Sequence, residues 1–390
     1  MGQLLSHPLT EKYLEYNDYK HVSQDQTSNI TSADGNLVPH FYNCVGSMQG
    51  YRLTQEDAHL VLNEDKAIHV KFYDPFKNKM EQLKLSIFSL FDGHGGADCS
   101  NFLSGGHQHS AKKGIARWIA YSFERHQYGA YLDNDSDSLR PPNSKRAFRT
   151  LQGLITQVIK DAFMLQDQEL YQHFANSSCG STAVVAIIIN NEFLYVANCG
   201  DSRCILSSKN LGIKTMSYDH KPQHIGELLR INDNGGTVSL GRVGGVLALS
   251  RAFSDFQFKR GVNYGKNKGH HQNAGIPPQE AQVTAEPDVL MHKIDFTKDE
   301  FLVLGCDGIW DIYSNKQLVQ FIKYHLTLGV NLPGIITKLL DHGIAQANSN
   351  TGVGFDNMTA ILVVLNNGGE SLQDWYTKMK VRLERERGLQ

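Results

Sequence analysis

Three apolar runs in this chain end alike. Leu85–Phe91 runs into Asp92-Gly93-His94-Gly95-Gly96, the run closing at Cys199 into Gly200-Asp201, and Phe301–Gly305 into Cys306-Asp307-Gly308. Short apolar or alternating runs bounded by glycine read as buried strands, so each acid stands at a strand exit. There a carboxylate can face solvent while its strand stays covered, and glycine lets another group approach the backbone closely. One such turn says little, since DGHGG alone equally describes a glycine-rich turn opened by an N-cap Asp. The recurrence is what constrains the chain. If these strands belong to packed sheets, their acidic tips can converge at one end.

Length alone suggests two or three domains for 390 residues, although large sandwiches and α/β enzymes run longer as single units. The patterning divides the chain into an N-terminal arm over residues 1–40, a unit over 41–367, and a C-terminal helix over 368–390. Residues 7–38 are polar and rich in Ser, Asn and Asp, as expected of a loosely held arm. The unit opens with a short strand from Phe41 to Arg52, followed by Glu56-Asp57, and alternation puts Arg52, Thr54 and Glu56 on one face. Residues 63–84 read as a polar, aromatic-containing insert, and 128–145 as a surface loop. Phe148, Leu151, Ile155, Val158 and Ala162 recur at helical spacing, which makes them the core face of a long helix.

Ala183–Ile189 and the run closing at Cys199 are two strong strands separated by Asn190-Asn191, a hairpin link. A helical segment follows around residues 222–232, then GRVGGVLALSRAFSDF, whose glycines lack the dinucleotide-binding spacing. His270-His271 sits in a Gly-, Asn- and Lys-rich stretch without a nearby carboxylate and reads as solvated. Helices are predicted around 318–324 and 333–347, and a last strand over Thr359–Leu365. Leu372, Trp375, Met379 and Leu383 then mark a docked terminal helix.

The formal charge of -2, with both signs mixed along the chain, offers no basic footprint for nucleic acid. An anionic ligand must be met by a local site. The six cysteines form no CxxC pair and read as reduced, packed thiols of an intracellular protein. No apolar stretch is long enough to span a bilayer, and no secretory signal opens the chain. Met1-Gly2-Gln3-Leu4-Leu5-Ser6 does fit the pattern for N-myristoylation of Gly2, which by itself gives weak, reversible membrane association.

Glu56-Asp57, Asp92, Asp307 and Asp356 all lie at ends of predicted strands. Converging carboxylates repel and raise one another's pKa, so a cluster of them calls for cations. All-oxygen ligation selects Mg²⁺ or Mn²⁺. Two such ions about 4 Å apart can activate a water and hold a phosphoryl oxygen, so no side-chain nucleophile is needed. Arg52 offers either a surface ion pair or a fork for phosphate, and His94 is placed to protonate a leaving oxygen.

Taken in order, SMQGYRLTQEDAH, FDGHGG, GSTAV, ANCGDSR, LALSRAFSDF, CDGIWD and DNMTAIL resemble the type 2C metal-dependent serine/threonine protein phosphatases, from about Tyr42 to Leu365. The resemblance is greatest to fungal members. It implies an α+β fold, a four-layer αββα sandwich with two central antiparallel sheets flanked by helices and the metals at one end. It further implies that Asp92 bridges two Mg²⁺ or Mn²⁺ ions, with Glu56 and the Gly93 carbonyl completing one site and Asp307 and Asp356 the other. Asp57, Asp201, Asp311 and Asn357 would ligate through water or stand behind the ligands, with room for a third, weaker ion, and Thr182 would pack nearby. Arg52 would bind the substrate phosphate and His94 would be the general acid.

The implied substrates are phosphoproteins, met by a monomer of the cytoplasm and also the nucleus. Ser254 departs from the glycine usual in the family's SRALGDF run, and the stretch 258–278 is longer than usual. An inactive phosphatase-fold adaptor is the alternative, in which one or more of Asp92, Asp307 and Asp356 should be replaced; all three are present.

Overall fold

Every position of Ala183–Ile189 is apolar, a pattern that suits a strand covered on both faces. The computed structural model, which describes residues 4–17, 39–106, 112–126, 148–210, 212–262, 264, 275–366, 368 and 370–386, places it so. Val184, Ala186 and Ile188 join one core cluster, while Ala183, Val185, Ile187 and Ile189 join another.

In chain order the strands begin with β1 (Leu4–Asn17), β2 (Phe41–Arg52), β3 (Ala58–Leu62), β4 (Ile68–Asp74), β5 (Lys79–Phe91) and β6 (Gly93–His94). Helices α1 (Asp98–Leu103), α2 (Gly114–Arg125) and α3 (Leu151–Phe174) follow. Next come β7 (Gly180–Ser181), β8 (Ala183–Ile189), β9 (Phe193–Cys199), β10 (Arg203–Ser208), β11 (Gly212–Thr215) and α4 (Ile225–Asp233). A short-stranded region holds β12 (Val238–Ser239), β13 (Arg242–Val243) and β14 (Phe253–Ser254), before β15 (Asp288–Lys293) and β16 (Asp299–Gly305). The chain closes with α5 (Asp307–Trp310), α6 (Asn315–Thr327), α7 (Leu332–Ala345), β17 (Met358–Leu365) and α8 (Leu372–Glu386).

Two six-stranded sheets form the centre. The first has the order β1-β2-β17-β16-β10-β11; the second runs β15-β9-β8-β5-β3, with β4 also paired to β5. All of these pairings are antiparallel. Phe88 and Leu90 of β5 point to the core shared with the first sheet, and Leu85, Ile87 and Phe91 to the core under α2 and α3. The core shared by the sheets continues into α6, α7 and α8 on the far side of the first sheet. This is the expected α+β sandwich of helix, sheet, sheet and helix.

Several local expectations hold. Asn190 and Asn191 both take positive φ, 52° and 57°, the geometry of a two-residue hairpin whose twist matches its strands. Helix α6 covers the predicted 318–324 and is opened by a capping box, not foreseen, in which Ser314 and Gln317 exchange side-chain bonds to backbone. Leu372, Trp375, Met379 and Leu383 are all buried. The six cysteines are free and buried.

Two expectations are corrected. Part of the supposed loose arm, residues 4–17, is the edge strand β1, paired with β2 from Leu4 opposite Arg52 to Asn17 opposite Asn43. Its polar residues suit an edge strand with one face in solvent, which composition alone does not separate from a coil. The supposed insert at 63–84 is largely a β-hairpin: Ile68 pairs with Leu85 and Asp74 with Lys79. Ile68, Val70 and Phe72 alternate inward, and Phe72 meets Phe123 of α2 with ring centroids 5.9 Å apart. Gly2, the whole 128–145 stretch and His270-His271 lie outside the described residues. Among the described residues, no helix is long and apolar enough to cross a membrane.

Candidate metal centre and active-site cleft

Strand ends from both sheets meet at one end of the sandwich. Asp92 follows β5, Asp201 follows β9, and Asp307 follows β16 at the start of α5. Arg52 closes β2, and Asp356-Asn357 precede β17. Together with Glu56, Gly93, His94, Thr182 and Asp255 they line a cleft of about 710 Å³.

Hydrogen bonds between loops fix this end. Thr182 donates its amide to the Asp92 carbonyl at 2.9 Å, and its hydroxyl receives the Asp92 amide at 3.3 Å. The same hydroxyl lies 2.8 Å from that of Ser202, so the exits of β5 and β9 are tied through one threonine. Asn357 accepts the Glu56 amide at 3.0 Å and donates to the carbonyls of Gln49 and Thr54 at 2.9 and 3.0 Å. It acts on the backbone that carries Arg52 and Glu56. Thr359 donates its hydroxyl to Asp57 at 2.6 Å.

Potential ligand atoms of Asp92, Asp201 and Asp307 all lie within 4.8 Å of one another, as do those of Asp57, Asp92 and Cys306. Asp92 belongs to both groups. Burial first, and then the Asp307 carboxylate, pushes the Asp92 carboxyl well above its ordinary range. Burial and the nearby Asp201 do the same to Asp307. Asp57 is pushed up to about 7 by burial, against the bond from Thr359. Burial holds the Cys306 thiol well above its usual value, so it stays neutral. Among the described residues, no hydrogen bond or ion pair reaches the carboxylate of Asp92 or Asp307, while Lys221 pairs with Asp201 and Arg52 with Asp356. Crowded carboxylates with so few cations, all offering oxygen, fit hard divalent ions.

Asp201, expected behind the ligands, has a carboxylate oxygen within 4.8 Å of those of Asp92 and Asp307 and pairs with Lys221. Glu56 and Asp356 line the same cleft but fall outside both close groups. Asp311 sits one turn beyond Asp307 and is exposed. The Arg52 guanidinium contacts Asp356, with 43% of the side chain exposed. The first glycine of DGHGG is also held by packing inside the protein. A Cβ on Gly93 would fall 2.4 Å from the Glu56 carbonyl oxygen, so the Glu56 backbone approaches this position closely.

Sequence reasoning missed Asp255, whose Oδ2 lies 2.7 Å from His94 Nε2. Burial by itself would lower the His94 pKa, but the Asp255 carboxylate, with Asp201 and Glu56, more than offsets it and the imidazole is held above its ordinary value. Asp255 follows no apolar run, so the pattern that found the other acids could not find it; the available signal was its place in the SRAFSDF motif.

The family model described as Protein phosphatase 2C matches residues 44–352. The chain is 68% identical, over 406 aligned positions and the whole of both chains, to Protein phosphatase 2C homolog 4 of Saccharomyces cerevisiae. It is 32% identical to Protein phosphatase 2C homolog 2 of Schizosaccharomyces pombe, over 98% of this chain and 83% of that one. A solved phosphatase structure from Toxoplasma gondii shares the fold with a TM-score of 0.60 at 20% identity, covering 92% of this chain and 96% of the other. The chain therefore belongs to the protein phosphatase 2C family of metal-dependent serine/threonine protein phosphatases.

Proposed function

We propose that this cleft hydrolyses phosphoserine and phosphothreonine in proteins with two Mg²⁺ or Mn²⁺ ions bound. The observation that carries the reading is the Asp92–Asp201–Asp307 group, whose crowded carboxylates, among the described residues, have a cation partner only at Asp201. Asp92 lies in both close groups and would be shared between the two ions. Glu56 and the Gly93 carbonyl would complete one position, Asp307 and Asp356 the other. Asp57, Asp201, Asp311 and Asn357 would hold waters or the loops behind them, and Asp201 with Asp311 would serve a third, weaker ion. When bound, such ions supply Lewis acidity and a water ionised near neutral pH.

The chain's own residues do the rest. Arg52 is exposed enough to exchange Asp356 for phosphate oxygens, which its planar fork matches. His94, also on the cleft wall, holds the proton for the leaving serine or threonine oxygen. Asp92, Asp307 and Asp356 are all present, so nothing favours an inactive adaptor. A monomer of the cytoplasm and nucleus, weakly held to membranes through myristoylated Gly2, belongs to the same proposal and rests on sequence alone.

The test is hydrolysis of a phosphothreonine peptide with Mn²⁺ or Mg²⁺, with and without EDTA. Turnover should vanish with EDTA and return with added ion, and Asp307→Asn should lower it by about 100-fold or more at a fixed ion concentration. Turnover without metal, or none with any divalent ion, would overturn the reading.

A further inference from the structure

Asp255 does more than touch His94; the surrounding chain is built to hold it there. Its side chain is 1% exposed, in a cleft whose other acids are more open. Ser254 and Asp255 both take positive φ, 59° and 49°, a conformation that costs non-glycine residues energy and persists only where neighbours impose it. The imposing neighbour is Asp167 on α3. Its Oδ1 accepts the Ser254 amide at 2.8 Å. The charge of Asp167 is matched by Lys259, whose Nζ donates to its two oxygens at 2.9 and 2.8 Å and to the Ala252 carbonyl at 3.0 Å. Both side chains of this pair are 1% exposed, and the Tyr264 hydroxyl adds a bond to Asp167 at 2.9 Å. The segment on either side of Asp255 is thus pinned to α3 by a buried ion pair.

A second, independent feature points the same way. The small sheet β14-β7-β6 puts Ser254 opposite Gly180 and Gly180 opposite His94. Gly180 lies between the two partners, and a Cβ on it would collide with both the Asp255 carboxylate and His94 Nε2. The absence of a side chain at 180 is what lets the pair form.

We propose that Asp255 is a positioning residue for His94, accepting the Nε2–H and so leaving Nδ1 as the ring nitrogen that meets the leaving oxygen. An ionised carboxylate can only accept, so a nitrogen 2.7 Å from it carries its hydrogen toward it. In the reaction, a water oxygen bonds to phosphorus as the P–O bond to the serine or threonine oxygen breaks, and the proton passes from His94 Nδ1 to that leaving oxygen, giving inorganic phosphate and the free hydroxyl. The ring is left neutral with its Nε2–H still on Asp255. Asp167 and Lys259 act one step further back, by fixing the strained turn. This inference rests on the reading of His94 as the general acid.

The experiment compares a phosphothreonine peptide, whose leaving oxygen needs a proton, with 4-nitrophenyl phosphate, whose leaving group needs little protonation, on the Mg²⁺-loaded full chain. Asp255→Asn is expected to lower kcat on the peptide by about 10–100-fold and on the aryl phosphate by less than about 3-fold. Gly180→Ala should give the same split without altering any charge. On the wild type, a long-range ¹H–¹⁵N spectrum, with His94 assigned through His94→Gln, should show the hydrogen on Nε2; this readout does not depend on either variant folding. Equal losses on both substrates for both variants, or a wild-type ring protonated at Nδ1 alone, would overturn the assignment. His94→Ala is the control. If it shows no split, the general-acid reading falls and this inference with it; if it does and the other two variants do not, only the role of Asp255 falls.

Discussion

Gly93 shows how little of a site can depend on a side chain. Its missing Cβ leaves space occupied by the Glu56 carbonyl and the Ser100 hydroxyl, and Ser100 itself donates to the Glu56 and Ala97 carbonyls. A methyl at this position has to push back the loop that carries Arg52, Glu56 and Asp57. Gly93→Ala is expected to cost about 1–3 kcal/mol of stability through overpacking, and to lower kcat by about 100-fold because the carboxylates lose their register. Urea denaturation beside kinetics on a phosphothreonine peptide measures both, and wild-type kcat in the variant would refute the account. At this scale the sequence identified the acids well, since an acid closing an apolar run is conspicuous. It did not reveal that Arg52 reaches Asp356 or that Asp255 reaches His94, because those contacts join residues 304 and 161 positions apart.

Among the elements, α3 makes the same point about faces. Its apolar stripe was readable from spacing, and Leu154, Ile155, Val158, Ile159, Ala162 and Phe163 are buried. The stripe says nothing about which polar residues are caught between elements. Asp167 is one of these, and Asp161 is another. Burial, and then the Glu286 carboxylate, pushes the Asp161 carboxyl up to about 7. The unfolded chain ionises such a group near pH 3.9, so the two states bind the proton alike below about pH 4. Between about pH 4 and 7 the unfolded state gives up its proton first, and folding loses stability as pH rises. Asp161→Asn keeps the oxygen that receives Gln157 Nε2 at 2.7 Å and removes the charge. It is expected to add about 1–2 kcal/mol at pH 8, discounted for partial exposure, and close to nothing at pH 4. Urea titrations at the two pH values check this, and equal effects at both would refute it.

For the whole molecule, the ends of the chain belong to the same packed body as the cleft. Strand β1 extends the first sheet, and α8 closes the core beyond it. A buried charge network joins the tail to that sheet: Glu300 of β16 receives Lys323 of α6 at 2.7 Å and also pairs with Arg382 of α8. Trp375 is 7% exposed in this core and does not line the catalytic cleft. Trp375→Ala should therefore lower unfolding free energy by about 3–5 kcal/mol while leaving kcat within about 2-fold below the unfolding transition. A denaturation series with activity taken at low denaturant measures both, and a large fall in kcat without loss of stability would contradict it.

The sequence by itself determined the strands with both faces covered, the helical stripes, the hairpin at Asn190-Asn191 and the acids at the strand exits. Each of these is a periodicity or a turn preference, set by neighbours a few residues away. Tertiary structure alone decided that β1 is a strand, that 63–84 holds a hairpin, and that Asp201 comes within 4.8 Å of Asp92 and Asp307 while Glu56 and Asp356 line the same cleft outside that group. It also decided the partners of Arg52 and His94. Edge pairing and charge contacts depend on which distant backbone comes alongside, and no local pattern records that.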